Sequence, residues 1–298
     1  MQNIITKIFS SRFGLNFLLS LRDRQRINIA LTKGGISLSN RKVNLKNPLS
    51  WEFSGFSQNG EDGIIDVLCD QIVKESNKYF IEIGAADGID NNSAWPLITK
   101  KYNGLMIEAD KKLVKSALRI VKSSSNSNNH GLQIIQQFVS IKNIDKIKKI
   151  TQFSNPDFMS LDIDSMDYYV AEKIFETGFR PKIFVVEYNS VFGPDNPSTI
   201  QYNEDFIFGK DHPSFLYYGV GIAAWKHFFK KNNYKFITTD SNGVNAFFVD
   251  PEFFSEEFLS GINQNHFFEN QLQKEKFRCD HSGQFKKIKH LPFFNVTS

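Results

Sequence analysis

The sequence predicts an α/β protein built on a mostly parallel β-sheet with helices on both faces. Short apolar runs of strand length alternate along the chain with segments of helical periodicity, the pattern of strand–helix–strand units. With 41% hydrophobic and 23% charged residues, the composition is globular, which excludes the fibrous and disordered classes. The 298 residues are enough for a core that needs no disulfide or metal to hold it.

Helices and strands alternate from residue 60 onward. The first helix is predicted over residues 60–74, where Ile64, Ile65 and Leu68 share one face. The first strand is an apolar run that stops at Gly84, and the fifth contains Ile-Phe-Val-Val, as buried parallel strands do. The other helices are predicted over residues 92–101, 110–122, 141–151, 166–177 and 219–232. The seven strands are predicted over residues 79–83, 104–107, 132–139, 158–163, 182–187, 236–239 and 244–249.

The turn at residues 240–243 sets the direction of the last strand. Its sequence, Asp-Ser-Asn-Gly, is a strong hairpin signal. Because a hairpin reverses the chain, the last strand is predicted to run antiparallel to the others.

Three parts of the chain are distinguished by composition. Residues 1–50 form a basic helical arm and linker, residues 51–250 the main domain, and residues 251–298 a C-terminal extension. Residues 33–50 are predicted to be a loop because they include Gly34, Gly35 and Pro48. A polar exposed loop is predicted at 123–130. The irregular stretch at 190–214 is long enough to suggest a lid.

Charge and cysteine content exclude some classes of partner. Residues 1–50 carry nine Lys and Arg against one acid, and residues 271–298 carry six against two, whereas the region between them is acidic. This distribution argues against a nucleic-acid groove in the main domain. Cys69 and Cys279 form no zinc motif, and so few cysteines favour a reducing, cytoplasmic compartment.

The N-terminal segment, residues 1–30, has the pattern of a basic amphipathic helix. Apolar residues are interrupted by Lys7 and Arg12 and followed by Arg22, so neither a membrane span nor a cleaved leader is predicted. Such a helix suits peripheral contact with an anionic membrane, here its inner face. The alternative is packing on its own domain or on a second copy, the commoner use of an apolar helical stripe.

The strongest chemical signal is the glycine turn in residues 81–88, Ile-Glu-Ile-Gly-Ala-Ala-Asp-Gly. Gly84 follows a strand, but Ala86 and Ile89 stand where a dinucleotide fingerprint needs glycine. Asp87 would repel a pyrophosphate, so a cationic or hydroxyl-bearing cofactor is expected. Glu108, 24 positions after Gly84, is placed to bind ribose hydroxyls; the alternative is that it caps the following helix.

Further polar residues end two neighbouring strands. Asp162 and Asp164 end the fourth strand, and Glu187 and Asn189 end the fifth. Three interpretations stay open. Asp164 could act as a general base, the four residues could hold Mg²⁺ or another divalent ion, or the two aspartates could cap the next helix. His212, in an irregular stretch, is a further candidate base.

In these motifs the chain resembles class I S-adenosylmethionine-dependent methyltransferases, and more narrowly the FkbM type. The similar segments are residues 57–62, Ser-Gln-Asn-Gly-Glu-Asp, residues 81–88, and residues 104–109, Gly-Leu-Met-Ile-Glu-Ala. Residues 161–164, 186–189 and 243–249 resemble a bacterial subgroup. The resemblance spans about residues 56–249.

This resemblance implies a Rossmann-like, doubly wound sheet of seven strands with an antiparallel last strand. It also implies S-adenosylmethionine as cofactor and methyl transfer to a hydroxyl group of a sugar or glycan precursor. The acceptor that carries this hydroxyl is expected to be either a small molecule or part of a glycan. The implied cofactor-binding residues are Glu82, Gly84, Ala85, Asp87, Gly88, Glu108, Ala109 and Asp162; the candidate catalytic residues are Asp164, Glu187 and His212.

Two other functions compete with this one. Asp162-Ile163-Asp164 is an Asp-x-Asp pattern, which in glycosyltransferases holds a divalent metal against a sugar nucleotide. A scaffold that keeps the fold without the chemistry is the third candidate. Binding of S-adenosylhomocysteine, of a nucleotide sugar, or of neither separates the three.

Overall fold

A single seven-stranded sheet dominates the computed structural model, which describes residues 12–123 and 131–297. Within these residues the strands are Tyr79–Ile83 (β1), Asn103–Glu108 (β2), Gln133–Gln136 (β3), Phe158–Leu161 (β4), Ile183–Glu187 (β5), Ser198–Ile200 (β6), Lys235–Thr239 (β7), Asn245–Val249 (β8) and Phe293–Asn295 (β9). The large sheet has the order β3-β2-β1-β4-β5-β8-β7, and β6 pairs only with β9.

The sheet confirms the predicted fold class. Strands β3, β2, β1, β4 and β5 pair in parallel, whereas β8 runs antiparallel to both β5 and β7. The turn between β7 and β8 provides this reversal, and Gly243 takes a positive φ of 76° there. The result is a doubly wound, Rossmann-like sheet with one antiparallel strand, in which β1 and β4 lie side by side at the centre.

Helices cover both faces of the sheet. Within the described residues they are Arg12–Asn40 (α1), Glu61–Asp70 (α2), Ala94–Thr99 (α3), Lys111–Ser123 (α4), Ile144–Ile150 (α5), Asp167–Glu176 (α6), Ile222–Lys231 (α7), Glu256–Gly261 (α8), Gln271–Phe277 (α9) and His281–Lys286 (α10). Because side chains alternate along a strand, Ile81 packs toward α5, α6 and α7, and Phe80 packs toward α2 and α8. Both residues are fully buried, so the sheet separates two apolar layers.

Helix α1 overturns the predicted loop at residues 33–50 in its first part. The helix continues through Gly34 and Gly35 to Asn40, and a short 3-10 turn follows at Pro48–Ser50. A Cβ on Gly34 would lie 2.2 Å from the Trp95 ring, while one on Gly35 would meet nothing within 4 Å. Gly34 therefore lets the helix approach Trp95 closely, and this contact outweighs the poor helix propensity of the glycine pair.

The described part of the basic arm packs on the main domain along one face. Ile27 and Ala30 are buried against it, and Asp23 lies 2.6 Å from Arg119 of α4. The first turns of the helix leave Leu15 exposed, together with Phe17, Leu18 and Leu21. Residues 1–11 of the arm, and 124–130 of the predicted polar loop, lie outside the described residues. Among the residues described, no helix has the length and apolar character needed to cross a bilayer.

The predicted irregular stretch at 190–214 contains ordered elements. A 3-10 turn occupies Ser190–Phe192, and β6 pairs antiparallel with β9 near the C-terminus, with Ile200 opposite Phe293. The C-terminal extension therefore returns to the segment that follows β5. This return places α9 near the carboxyl edge of the sheet, where it contributes to the site described next.

Candidate active site

Two cavities meet at the carboxyl edge of the parallel strands. The first has a volume of about 410 Å³ and the second about 290 Å³. They share a wall that includes Gly84, Asp162 and Asp164. A crevice outside the carboxyl ends of parallel strands is where open α/β sheets bind ligands, so these two cavities form the candidate site.

Gly84 allows the backbones that follow β1 and β4 to approach closely at the shared wall. Its φ of +89° is in the left-handed region, and a Cβ at this position would lie 1.7 Å from the carbonyl oxygen of Asp162. The N–H groups of Gly84 and Ala85 each donate to the carbonyl of Ile107 at 3.0 Å, which holds the turn against β2. Only glycine fits here, because any side chain would push β1 and β4 apart.

Glu108 links the glycine turn to the start of α4. Its Oε2 accepts a hydrogen bond from Ala86 N at 2.9 Å, and its Oε1 accepts one from Asp110 N at 2.8 Å. The side chain also lines the first cavity, as does Ala109. Each carboxylate oxygen has a second acceptor site, so Glu108 can brace the turn and still accept bonds from a ligand.

Three predicted cofactor residues do not line either cavity. Asp87 is paired with Arg26 at 2.6 Å, and its other oxygen accepts from two backbone N–H groups. Gly88 is needed for packing, since a Cβ there would lie 2.7 Å from that of Ala117 on α4. Ala85 is fully buried beneath the turn. Asp87, Gly88 and Ala85 therefore stabilise the shape and packing of the turn.

Glu82 points into the second cavity with one oxygen unsatisfied. The side chain lies on β1 and is almost completely buried, and its Oε2 has no hydrogen-bond partner within the described residues. Burial raises the pKa of Glu82 to about 8, although hydrogen bonds from Ser160, Asn92 N and Ser93 oppose that rise. A buried carboxyl with a free acceptor is costly unless a ligand supplies a donor.

Asp162, Asp164 and Glu187 form a compact acidic cluster. One carboxylate oxygen from each lies within 4.8 Å of the others. Burial raises the pKa of Asp162 and of Glu187 well above the usual range, and repulsion from Asp164 adds to both shifts. The surroundings of this cluster therefore oppose full ionisation of all three carboxyl groups.

The chain leaves β4 in a way that presents Asp164. The strand ends at Leu161, two residues earlier than predicted, and Asp164 has a φ of +53°. Such a conformation in a non-glycine residue is uncommon and often marks a functional site. The loop is held by Asp167, whose carboxylate accepts from Ile163 N at 3.0 Å and Ser165 N at 2.9 Å. Asp167, rather than Asp162 or Asp164, therefore makes the backbone contacts at the start of α6.

Asn189 and His212 lie outside this cluster. The Asn189 amide donates to the carbonyls of Leu216 and Tyr218 at 2.8 and 3.0 Å, and its oxygen accepts from Val191 N. These hydrogen bonds hold the chain after β5, and Asn189, the fourth predicted metal ligand, lines neither cavity. His212 pairs with Ser214 at 2.6 Å and lines neither cavity, so it is not placed to act as the base.

Several residues of the site were not assigned from the sequence. In the second cavity these include Asn245 on β8, and Asn270 and Leu272 from the C-terminal extension. In the first cavity the apolar wall after β3 was missed, namely Phe138 and Val139. An Asn within Gly-Val-Asn-Ala marks a position that could have been flagged, whereas the other residues carry no local motif.

The ionisable side chains that line both cavities are acidic. Six carboxylates line the second cavity: Glu61, Glu82, Asp90, Asp162, Asp164 and Glu187. Within the part of the chain that the structure describes, no Lys, Arg or His lines either cavity. The site therefore favours positive charge and hydrogen-bond donors, and it opposes phosphate groups.

Comparison with known proteins gives structural similarity alone. No protein-family model and no curated protein matches the chain. Among solved structures, an O-methyltransferase from Bacillus cereus in complex with SAH is 13% identical, with a TM-score of 0.41 over 75% of this chain and 89% of that one. An SAH-bound methyltransferase from Podospora anserina is 16% identical, with a TM-score of 0.41 over 62% and 75%. Similarity at this level identifies no substrate.

Proposed function

We propose that the chain is an S-adenosylmethionine-dependent methyltransferase that modifies a hydroxyl group. The observation that carries this proposal is the acid-lined first cavity at Gly84, which has no basic side chain among the described residues. A nucleotide cofactor with phosphates would be repelled there. A nucleoside whose tail is cationic suits the cavity, and S-adenosylmethionine is such a molecule.

The residues of the cavity fit the parts of this cofactor. Glu108 has acceptor capacity for the ribose hydroxyls. The apolar wall of Ile107, Leu113 and Phe138 suits a flat base. In the adjoining second cavity, the unsatisfied Oε2 of Glu82 suits the ammonium group of the methionine part, which would reach past the shared wall at Gly84 and supply the missing donor.

The acidic cluster supplies the acid–base chemistry. When bound, S-adenosylmethionine supplies a methyl group carried on a positively charged sulfur, and this sulfur leaves with the electron pair of the carbon–sulfur bond. Asp164 takes the proton that the acceptor hydroxyl loses as its oxygen gains the methyl group. Burial raises the pKa of Asp164, which makes it a better base than an exposed carboxylate. Asp162 and Glu187 each place a carboxylate oxygen within 4.8 Å of one from Asp164 and complete the acidic surroundings of this base.

A divalent cation at the same cluster is the second candidate mechanism. Three carboxylate oxygens within 4.8 Å are a suitable partial set for Mg²⁺, whose other ligands are commonly water. The ion would relieve their mutual repulsion and lower the pKa of an acceptor hydroxyl. Asn189, the fourth predicted ligand, lines neither cavity, so the three carboxylates carry this candidate mechanism.

Within this class we infer the FkbM type, acting on a sugar or glycan-precursor hydroxyl. The motifs at residues 57–62, 81–88 and 104–109 support it. A cavity rich in oxygen acceptors suits a molecule with several hydroxyl donors. Both cysteines, Cys69 and Cys279, are free, which is compatible with a reducing cytoplasmic location.

Calorimetry with S-adenosylhomocysteine tests the proposal directly. Wild-type protein should bind it, and Glu108→Ala should weaken binding by roughly 10- to 100-fold, because bonds to a charged group are worth about 1.5–3 kcal/mol. Glu176→Ala, an exposed residue on α6, is the matched control and should change nothing. Binding of UDP-glucose with Mn²⁺, and not of S-adenosylhomocysteine, would instead support the glycosyltransferase.

A further inference from the structure

Asn245 places an unused hydrogen-bond acceptor in the second cavity. It lies on β8 directly opposite Glu187 of β5, and side chains paired in this way face the same side of the sheet. The residue is only 4% exposed, and its Oδ1 has no partner within the described residues. Leaving a buried acceptor unpaired is energetically unfavourable. A ligand that donates a hydrogen bond would remove this cost.

Glu61 fixes the orientation of the Asn245 amide. Asn245 Nδ2 donates to Glu61 Oε1 at 2.8 Å, and Glu61 also accepts from Asn59 N at 2.6 Å and from Asn59 Nδ2 at 2.9 Å. Every partner of Glu61 here is a donor, so the carboxylate has to receive the amide nitrogen. The amide oxygen is therefore the atom left without a partner beside the cavity, and a flipped amide would set two acceptors against each other.

The charge around Asn245 selects among ligands that could donate. Six carboxylates line this cavity, and Lys, Arg and His are absent from its described lining. The nearby Arg26 is engaged by Asp87 and Asp90, at 2.6 and 2.7 Å. A phosphorylated, nucleotide-linked or carboxylated acceptor would meet acidic side chains and no basic side chain in the described lining, whereas an ammonium group would be attracted and would donate up to three hydrogen bonds.

We infer that the second cavity is the acceptor site and that it selects an acceptor with a protonated amine beside its hydroxyl groups, as in an amino sugar or amino alcohol. The inference rests on the proposed function and narrows its substrate class. Asn245 Oδ1 and the carboxylates beside it receive the ammonium group. The cluster of Asp162, Asp164 and Glu187, which adjoins Asn245 through Glu187, receives the hydroxyl.

A charge series of one sugar tests the inference on wild-type protein. Binding of glucosamine, glucose and glucose 6-phosphate is measured by saturation-transfer NMR, with and without S-adenosylhomocysteine, at a pH where the amine is protonated. Glucosamine should bind about tenfold or more tightly than glucose, as expected for a charge-assisted bond, and glucose 6-phosphate should bind least. Equal binding of all three, tightest binding of the phosphate, or binding of none overturns the inference.

Two variants locate the selectivity. Asn245→Leu should reduce the preference for glucosamine over glucose by about tenfold. Asn232→Leu is the matched control, since Asn232 lines a different cavity beside Arg180, and the preference should persist. A preference that persists in Asn245→Leu overturns the role of Asn245; if that variant does not fold, the series on wild type decides. If wild-type protein binds no S-adenosylhomocysteine, the methyltransferase proposal fails. The sugar series measured without S-adenosylhomocysteine still decides the selectivity of the second cavity.

Discussion

The Arg26 guanidinium joins the N-terminal helix to the glycine turn through Asp87. Arg26 Nη1 lies 2.6 Å from Asp87 Oδ2, and Nη2 lies 2.7 Å from Asp90 Oδ2. Asp90 lines both cavities, while Asp87 receives two backbone N–H groups of the turn. The basic arm is therefore part of the structure that shapes the two cavities of the candidate site.

Replacing Arg26 should weaken cofactor binding without unfolding the protein. Arg26→Met leaves two carboxylates of the turn without their cation, so calorimetry should show S-adenosylhomocysteine bound about fivefold more weakly, or about 1 kcal/mol for partly exposed pairs. Arg24→Met, at an exposed position of the same helix, is the control. Equal affinities for the two variants would separate the arm from the site.

The two adjacent glycines of α1 should respond oppositely to alanine. Gly34→Ala puts a methyl group 2.2 Å from Trp95 and should lower the free energy of unfolding by about 1–3 kcal/mol through overpacking. Gly35→Ala meets nothing within 4 Å and should raise it by about 0.5–1 kcal/mol. Thermal unfolding of the two variants checks the pair. A stabilising Gly34→Ala would mean that the helix does not lie against Trp95.

Glu82 should make the ligand-free protein less stable as pH rises. An unfolded glutamate titrates near about pH 4.3, whereas burial raises the pKa of Glu82 to about 8 in the folded protein. Between these pH values the unfolded chain binds fewer protons at this residue than the folded protein does. The contribution of Glu82 to the stability of the folded protein therefore falls with increasing pH and is lost as the pH passes the folded pKa.

Glu82→Gln removes this titration. At pH 8 the variant should unfold a few degrees above wild type, with the difference vanishing near pH 4, while it binds S-adenosylhomocysteine more weakly. Thermal melts across this pH range, paired with calorimetry, provide the check. A difference in melting temperature that does not change with pH would assign the effect to packing.

The acidic cluster should be essential for turnover, and a chelator separates its two mechanisms. Once an acceptor is identified, Asp164→Asn and Glu187→Gln should each lower kcat by about 100-fold or more, the usual contribution of a general base. With Asp164 as the base, EDTA should leave the rate within about twofold of the untreated rate, whereas a required divalent ion would make it fall to background. If both variants retain most of the activity, the acidic cluster has no role in catalysis.

The exposed start of α1 remains a predicted membrane contact. Leu15, Phe17 and Leu18 are exposed, and the acid of this helix, Asp23, is buried beside Arg119. Full-length protein should co-sediment with vesicles containing anionic lipid at low salt, and less so at high salt. Deleting residues 1–20 should abolish this binding but leave cofactor affinity unchanged, because Arg26 remains. Full-length protein that ignores such vesicles would favour packing on a second copy.

Local patterns in the sequence were sufficient for the architecture. Apolar runs such as residues 183–187 and the helical spacing after residue 60 depend only on neighbours along the chain. The strand forms within its predicted range, and the helix forms over Glu61–Asp70, four residues shorter at its C-terminal end than predicted. The hairpin before Asn245 likewise sets the direction of β8. The position of Gly84 also follows from such a local pattern, because a strand that ends at a glycine identifies the turn by itself.

Tertiary structure alone decided which side chains reach the site. Asp87 and Asn189 carry suitable chemistry, but Arg26, 61 residues from Asp87, and the backbone near Tyr218 occupy them. Asn245 reaches the cavity because β8 lies beside β5 and because Glu61 holds its amide. Contacts between residues distant in sequence determine whether a polar group has a hydrogen-bond partner within the protein. The periodicity of the sequence does not predict such contacts.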